Sequence, residues 1–446
     1  MSLIISVSGL RGIVGQSLTP ESATDYVAAF AASLDLGERV IVSRDGRTTG
    51  PMLRSVVVGT LMASGIRVID VDVAATPTVG VLVRQTGAAG AVQITASHNP
   101  PPYNGMKLFG RDGRVVDPGT GKAVKEACLE KRRRWADYDA LGVIETLNDP
   151  HTPHIEAVLA TVDVDRIRSK EFRVVVDANH GGGAAAARRL LEHLGCDVSI
   201  LGESPTGEFI HPPEPTAENL SEVGRQIVDA GAAVGFCQDP DADRLALIDE
   251  NGRYVGEEFT VAVCVQRILT DPETRGPIVI NGATSGMSER LANDAGVGCH
   301  RSPVGEANVA DLMLDVGAVY GGEGSGGPID PRVGLVRDSL VGMAQVLDHM
   351  ARTGRPLSTI VDALPQLSIV KSKINAGPED LPEIFSRVRE RHPEATVDET
   401  DGLRLAFPDG RWLLVRGSNT EPIVRFIAEA ESEAEAEALI RSAAEG

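Results

Sequence analysis

Hydrophobic positions along the chain fall into short β-branched runs that alternate with longer amphipathic stretches, and the alternation repeats. Val40 to Ser43 reads as a buried strand ending in Arg44-Asp45-Gly46-Arg47, followed by an amphipathic helix and a second strand, Arg67 to Val73, that ends in Ala75-Thr76-Pro77. The same order returns at Phe172 to Val176, which runs into Asp177-Ala178-Asn179-His180-Gly181-Gly182-Gly183, an Ala-rich helix and the strand Asp197 to Leu201. A third copy runs from Ile278 to Ile280 through Asn281-Gly282-Ala283-Thr284-Ser285-Gly286 to a helix and a strand near Gly298 to Arg301. Strand, glycine-containing turn, helix, strand is the βαβ unit, which predicts largely parallel sheets covered by helices on both faces. Ahead of the first copy, Leu3 to Val7 reads as a strand entering a glycine loop, Ser8 to Gly15, in which Arg11 is free to reach an anion. Thr19-Pro20-Glu21 then opens a helix with its cap and N1 proline in place, continuing to about Ala32.

From Ser368 onward the texture changes to short alternating strands, Leu403 to Phe407, Arg411 to Val415 and Ile423 to Ala428. A closing helix is capped by Ser432 with Glu435 three residues on. A chain of 446 residues is too long for one hydrophobic core. The expected fold class is α/β: three related α/β domains with mainly parallel mixed sheets, plus a smaller C-terminal α+β domain. Polar or Pro/Gly-rich stretches near Asp149 to Pro153, Asp249 to Arg253 and Ala363 to Leu367 place the domains at 1–151, 152–251, 252–366 and 367–446.

Composition narrows the partners. Aromatics make up only 4% of the chain, so the cores are expected to be Ala, Val, Leu and Ile. Five unpatterned cysteines suit small core residues in a reducing compartment rather than a disulfide framework. No apolar run reaches the length of a membrane span and no signal peptide is recognised, so a cytoplasmic protein is expected, with no membrane partner. A net charge of −20 argues against nucleic acid. It leaves room for small phosphorylated substrates, which need only a local cluster of Arg, Lys and backbone N–H groups. The one basic run, Lys131 to Arg134, is read as the solvated face of a helix with acidic neighbours.

Four loops carry candidate chemistry. Ile94-Thr95-Ala96-Ser97-His98-Asn99-Pro100 follows the apolar run Ala88 to Gln93 and stops at Pro100 to Pro102, through which no helix or central strand continues. A serine on a rigid turn at a strand end is where a nucleophile or a phosphorylated side chain can be held, although a lone Ser-His pair is ordinarily just a turn. Asp239, Asp241 and Asp243 alternate on a tight turn between the strands Ala233 to Phe236 and Leu245 to Asp249. Three carboxylates converging on one centre repel each other unless a hard divalent cation joins them, and Mg²⁺ leaves room for a phosphate oxygen. Gly321 to Gly327 holds one carboxylate, Glu323, and one hydroxyl, Ser325, suited to sugar hydroxyls. Arg416-Gly417-Ser418-Asn419-Thr420-Glu421-Pro422, with Arg425 beyond, offers two arginines, two hydroxyls and an amide to a phosphate dianion. Lys107, close after the serine turn, is either a positive charge for a transferring phosphoryl group or an acid/base.

These four loops, in this order, resemble the α-D-phosphohexomutase family over essentially the whole chain. The resemblance implies four domains around a central cleft and an isomerase that interconverts hexose 6-phosphates and 1-phosphates. By that resemblance, Ser97 is the serine phosphorylated in the active enzyme, and Asp239, Asp241 and Asp243 hold Mg²⁺ with the phosphoserine oxygen. Glu323 and Ser325 grip the sugar, Arg416, Ser418, Asn419, Thr420 and Arg425 cradle the non-reacting phosphate, and Arg11 and Lys107 assist transfer. A hexose 1,6-bisphosphate is then the intermediate and activator. Several members carry a histidine four residues after the sugar-loop glutamate, where this chain has Gly327, which leaves the general acid/base to Lys107 or His98. Where the phosphate loop often has proline, this chain has Gly417.

The form Gly-Gly-Glu-Gly-Ser-Gly-Gly resembles the archaeal-type phosphoglucosamine mutase branch, which points to glucosamine phosphates as substrate. Phosphomannomutase or phosphoglucomutase activity is the alternative, and a monomer or homodimer is expected. A Mg²⁺-dependent sugar phosphatase would not need a second, distant phosphate site, and a non-catalytic sensor would be expected to lose Ser97 or one of the aspartates.

Overall fold

Four sheets organise the molecule, and three of them share one strand order. In the computed structural model, which describes residues 3–6, 9–417 and 423–444, the strands Arg39–Arg44, Arg67–Val73, Gly90–Ile94 and Tyr103–Phe109 stand in the spatial order second, first, third, fourth. The strands Arg173–Asp177, Asp197–Leu201, Val234–Gln238 and Leu245–Asp249 repeat that order, and so do Ile278–Asn281, Cys299–Ser302, Tyr320–Glu323 and Gly327–Ile329. In each set the first three strands run parallel and the fourth turns back antiparallel to the third. The loop between third and fourth strands is therefore a topologically equivalent position, and it carries Ser97 in the first set, the aspartates in the second and Ser325 in the third. The related α/β domains foreseen from the hydrophobic pattern are present as mixed sheets.

The first sheet is extended to seven strands. Ile4–Ser6 and Gly9–Ile13 pair antiparallel, and Gly9–Ile13 docks on Tyr103–Phe109. This corrects the expected glycine loop: Arg11 lies within a strand, opposite Gly105, where its backbone is fixed by sheet hydrogen bonds. Gly12 is usable there because its missing side chain leaves room for Ser17 and Leu18. The helix Pro20–Ala32 starts with a Thr19 cap as foreseen. The basic run is also corrected. The helix Pro118–Leu129 ends before it, and Arg133 and Lys131 instead turn back onto Asp25.

The second and third sheets share one core. The helix Ser339–Thr353 has every residue from Ser339 to Ala351 buried, and it packs with Glu257–Leu269 against Val174, Val176, Phe236 and Tyr320. A helix buried on all faces has to lie between layers, and its polar residues are paired there, Gln345 with Tyr320 and Asp330 and Asp348 with Arg267. Each buried Val, Leu or Ile there contributes about 1.5–3 kcal/mol, so the two units are welded rather than hinged. The fourth unit is a five-stranded antiparallel sheet covered by Leu381–Arg391 and Glu433–Ala444. It contains two strands beyond those foreseen, Ser368–Asn375 and Thr396–Asp398. Ser368–Asn375 alternates weakly because much of it is half-exposed, and Thr396–Asp398 is a fully exposed edge.

Candidate active site

The equivalent loops of the first three units meet at one cavity of about 520 Å³, which the fourth unit also lines. Seven Lys and Arg side chains (Arg11, Lys107, Arg244, Arg337, Lys371, Arg416 and Arg425) face it, against Glu258, Glu306 and Glu323. A chain of net charge −20 has thus gathered a cationic cleft, the local field that phosphate dianions need.

Ser97 lines this cavity with φ +49°, a left-handed conformation costing a non-glycine residue about 1–2 kcal/mol. Two interactions hold it there. Its backbone N–H donates to Thr95 Oγ1 at 2.9 Å, and Thr95 Oγ1 donates in turn to Asp45 Oδ2 at 2.7 Å. Arg47, only 2% exposed, donates to four carbonyls of the same loop: Ser97 at 2.6 Å, Asn99 at 2.5 Å, Tyr103 at 2.9 Å and Pro100 at 3.1 Å. It also pairs with Asp45 at 3.2 Å. Burial pushes the Asp45 carboxyl up to about 6, against the opposing pull of Arg47 and Thr95.

Ser97 Oγ donates to Asp239 Oδ2 at 2.7 Å and lies 3.2 Å from His98 Nδ1. Burial, with Arg244 and Arg11 nearby, drives His98 down to about 2, so its ring is neutral at physiological pH. Lys107 Nζ bridges Asp241 Oδ2 and Asp243 Oδ2, 2.7 Å from each. Burial works against the ammonium, but those two carboxylates outweigh it and hold Lys107 protonated. Arg11 is lowered by burial and by the neighbouring Arg244 and Arg47.

Asp239, Asp241 and Asp243 are fully buried, and one oxygen from each lies within 4.8 Å of the others. Burial and the two neighbouring carboxylates raise Asp239, whereas Arg337, Lys107 and Arg244 overcome burial to lower Asp243. Among the described residues, Asp241 Oδ1 and Asp243 Oδ1 have no hydrogen-bond partner. Buried, orphaned carboxylate oxygens converging on one point are a donor set for a hard cation, and the residues fit Mg²⁺. The turn itself is pinned from three sides. Thr76 donates to Asp241, Ser339 Oγ donates to the Ala242 carbonyl, and Leu245 N–H donates to Gly326 O of the third loop.

Glu323 Oε1 accepts from Asn281 Nδ2 at 2.7 Å and from Gly305 N–H at 3.1 Å, while Oε2 accepts from Arg337 Nη1 at 2.8 Å. Ser325 faces the cavity. Arg416 and Arg425 are directly opposite each other on adjacent strands and both reach the cavity. Arg416 is paired with Asp401 at 3.2 Å, and the two guanidiniums together offer fork-shaped donors to a phosphate dianion. Ser418, Asn419 and Thr420 lie outside the described residues. The expected site residues that are described therefore converge on one cleft. Arg47, Arg244, Glu306 and Arg337 join them without having been singled out as site residues.

Comparisons with known proteins agree along the whole chain. Family models for phosphoglucomutase/phosphomannomutase α/β/α domains I, II and III match residues 3–134, 152–252 and 257–367, and the model for the C-terminal domain matches 370–445. A phosphoglucomutase/phosphomannomutase of Thermococcus kodakarensis is 35% identical, covering 98% of this chain and 96% of its own. A phosphoglucosamine/phosphogalactosamine mutase of Sulfurisphaera tokodaii is 29% identical, covering 99% and 98%. The crystal structure of a phosphoglucomutase/phosphomannomutase family protein from Burkholderia thailandensis superposes with a TM-score of 0.84 at 26% identity, covering 99% of both chains. Among the described residues no helix is long and apolar enough to cross a membrane. The chain belongs to the phosphoglucomutase/phosphomannomutase family, the α-D-phosphohexomutases, and is an isomerase of the mutase type.

Proposed function

We propose that the protein interconverts hexose 6-phosphates and 1-phosphates, with glucosamine phosphates as the preferred pair, through phosphorylated Ser97 and a hexose 1,6-bisphosphate. The observation that carries the reading is the cleft itself: a strained, buried serine, an opposed arginine pair and the carboxylate of Glu323 all line one cavity. A standing phosphoserine makes the protein a phosphoryl donor. The P–Oγ bond of Ser97 breaks as a bond forms to the free sugar hydroxyl, whose proton ends on Ser97 Oγ. His98, 3.2 Å from that oxygen, is driven too low by burial and the neighbouring arginines to hold the proton and serves as a hydrogen-bond partner of Ser97 Oγ, while Lys107, held cationic, stabilises charge on the phosphoryl oxygens with Arg11. The bisphosphate then turns over in the cleft and returns its other phosphate to Ser97.

Asp239, Asp241, Asp243 and the Ser97 phosphate would hold Mg²⁺, which supplies charge neutralisation at the transferring group. Arg416, Ser418, Asn419, Thr420 and Arg425 grip the non-reacting phosphate, and Glu323 with Ser325 the sugar. The fourth unit touches the third through Asp401 accepting from Val304 N–H and Glu429 accepting from Gly286 N–H. An amino sugar is favoured by the glycine-rich form of the loop around Glu323 and by the name of the Sulfurisphaera relative. The name of the Thermococcus relative favours glucose and mannose phosphates as the second reading.

Phosphorus NMR of the protein with Mg²⁺, a trace of hexose 1,6-bisphosphate and each hexose 1-phosphate in turn tests this. A growing 6-phosphate signal, absent in Ser97→Ala, is expected, fastest with glucosamine 1-phosphate. Inorganic phosphate alone would make the protein a phosphatase.

A further inference from the structure

Gly327 stands where no backbone constraint asks for glycine, since its φ lies outside the left-handed region. What a side chain there would meet is Arg337. A Cβ on Gly327 would fall 2.4 Å from Arg337 Cδ, 2.7 Å from Cγ and 2.9 Å from Cβ, well inside contact distance. The space opened by the glycine is filled by the arginine stem.

The far end of that stem joins two loops. Arg337 Nη2 donates to Asp243 at 2.6 Å and Nη1 donates to Glu323 at 2.8 Å. Its backbone is fixed as well. Arg337 N–H donates to Glu306 Oε1 at 2.7 Å, and the next residue, Asp338, caps the buried helix Ser339–Thr353 and binds His154 Nε2 at 2.7 Å. The side chain is 9% exposed and faces the cavity.

We propose that Arg337 is a positioning residue: bridging Asp243 to Glu323, it fixes the sugar-holding carboxylate relative to the phosphoryl-transfer end, and residue 327 is glycine to seat it. This rests on the mutase reading above. A planar guanidinium can bond both carboxylates at once, which a single ammonium does less well. Reacting groups held by such a clamp lose rate steeply when displaced by even an ångström. Glu323 keeps Asn281 and Gly305 as partners without Arg337, so the clamp sets where it stands rather than whether it is bonded.

The test is a double-mutant cycle of Gly327→Ala and Arg337→Ala, with Arg337→Lys as the conservative variant. Three quantities are read in each. They are the KM and kcat for hexose 1-phosphate, the calorimetric affinity of the Ser97→Ala form for hexose 6-phosphate, and amide exchange at residues 323–327. Either single change is expected to lower kcat/KM and the affinity by about tenfold or more, with Arg337→Lys recovering part of the loss. Gly327→Ala should cost less than about threefold once Arg337 is already alanine, because the two act through one contact. Independent, additive losses, or single variants within about threefold of wild type in all three measurements, would overturn the proposal. A wild type inactive on every hexose phosphate would overturn the mutase reading and this role with it. The exchange data still report whether the two residues are coupled.

Discussion

Removing Arg47 should cost the protein its phosphorylation more than its fold. In Arg47→Ala four loop carbonyls lose a charged donor, and Asp45 loses its buried counter-ion. Hydrogen bonds to charged groups are worth about 1.5–3 kcal/mol each, but four on one guanidinium do not add. Breaking a buried pair on one side costs about 3–5 kcal/mol, which is the better measure. Ser97 at φ +49° already stores about 1–2 kcal/mol that relaxation would release. A local loss near 4 kcal/mol makes the loop open about a thousand times more often.

Global unfolding is a poor readout for four units. Amide exchange at residues 95–105 and the rate of phosphate uptake at Ser97 from a hexose 1,6-bisphosphate, followed by intact mass, are the direct ones. Protection should fall by about two to three orders of magnitude and uptake by about a hundredfold, with Arg47→Lys between the two. The pH dependence has a sign to check. Burial raises Asp45 to about 6 in the folded loop, above its unfolded value, so the folded state binds the extra proton. Stability of the loop is therefore greatest at low pH, falls as pH rises toward 6, and is flat above it. Arg47→Ala, which leaves Asp45 without its opposing charge, should carry that fall to higher pH. Unchanged exchange and uptake within about threefold would refute the account of how the serine is held.

Lys107→Met should destabilise the metal-free protein, since Asp241 and Asp243 each lose a partner at 2.7 Å, and Mg²⁺ should then raise its melting temperature more than it raises that of wild type. Equal Mg²⁺-induced shifts would mean the cation binds elsewhere. His98 is driven down to about 2 by burial first and by Arg244 and Arg11 after it. Its depressed value lowers stability as pH falls below the unfolded value near 6.5, and NMR should show the ring titrating only well below pH 5. A His98 titration near 6.5 would contradict the buried, cation-flanked setting.

What the sequence discloses is what lies contiguous in it. Thr95 to Pro100, Asp239 to Arg244 and Gly322 to Gly326 are each read within a few residues, because each fills one turn between two adjacent antiparallel strands. The helix from Pro20 is legible for the same reason, its cap and proline being local. Arg11 reads as a loop residue because three glycines dominate its neighbourhood, and only pairing with Tyr103–Phe109, some ninety residues on, makes that segment a strand. Arg47 and Arg337 are hidden in the same way. Nothing near Arg47 announces a loop 50 residues later, and Asp243 lies 94 residues before Arg337.

The absence of a side chain at Gly327 was visible, whereas the arginine filling the space was not. A missing group in a sequence is local information, and its replacement is a fact of packing. The residues proposed to carry chemistry in this cleft are thus the legible ones. Those that hold them in register, Arg47 beneath the serine and Arg337 between the aspartates and Glu323, emerge only when three equivalent loops are folded onto one point. Substitutions at the second kind should therefore change rate and affinity while leaving every recognisable motif intact.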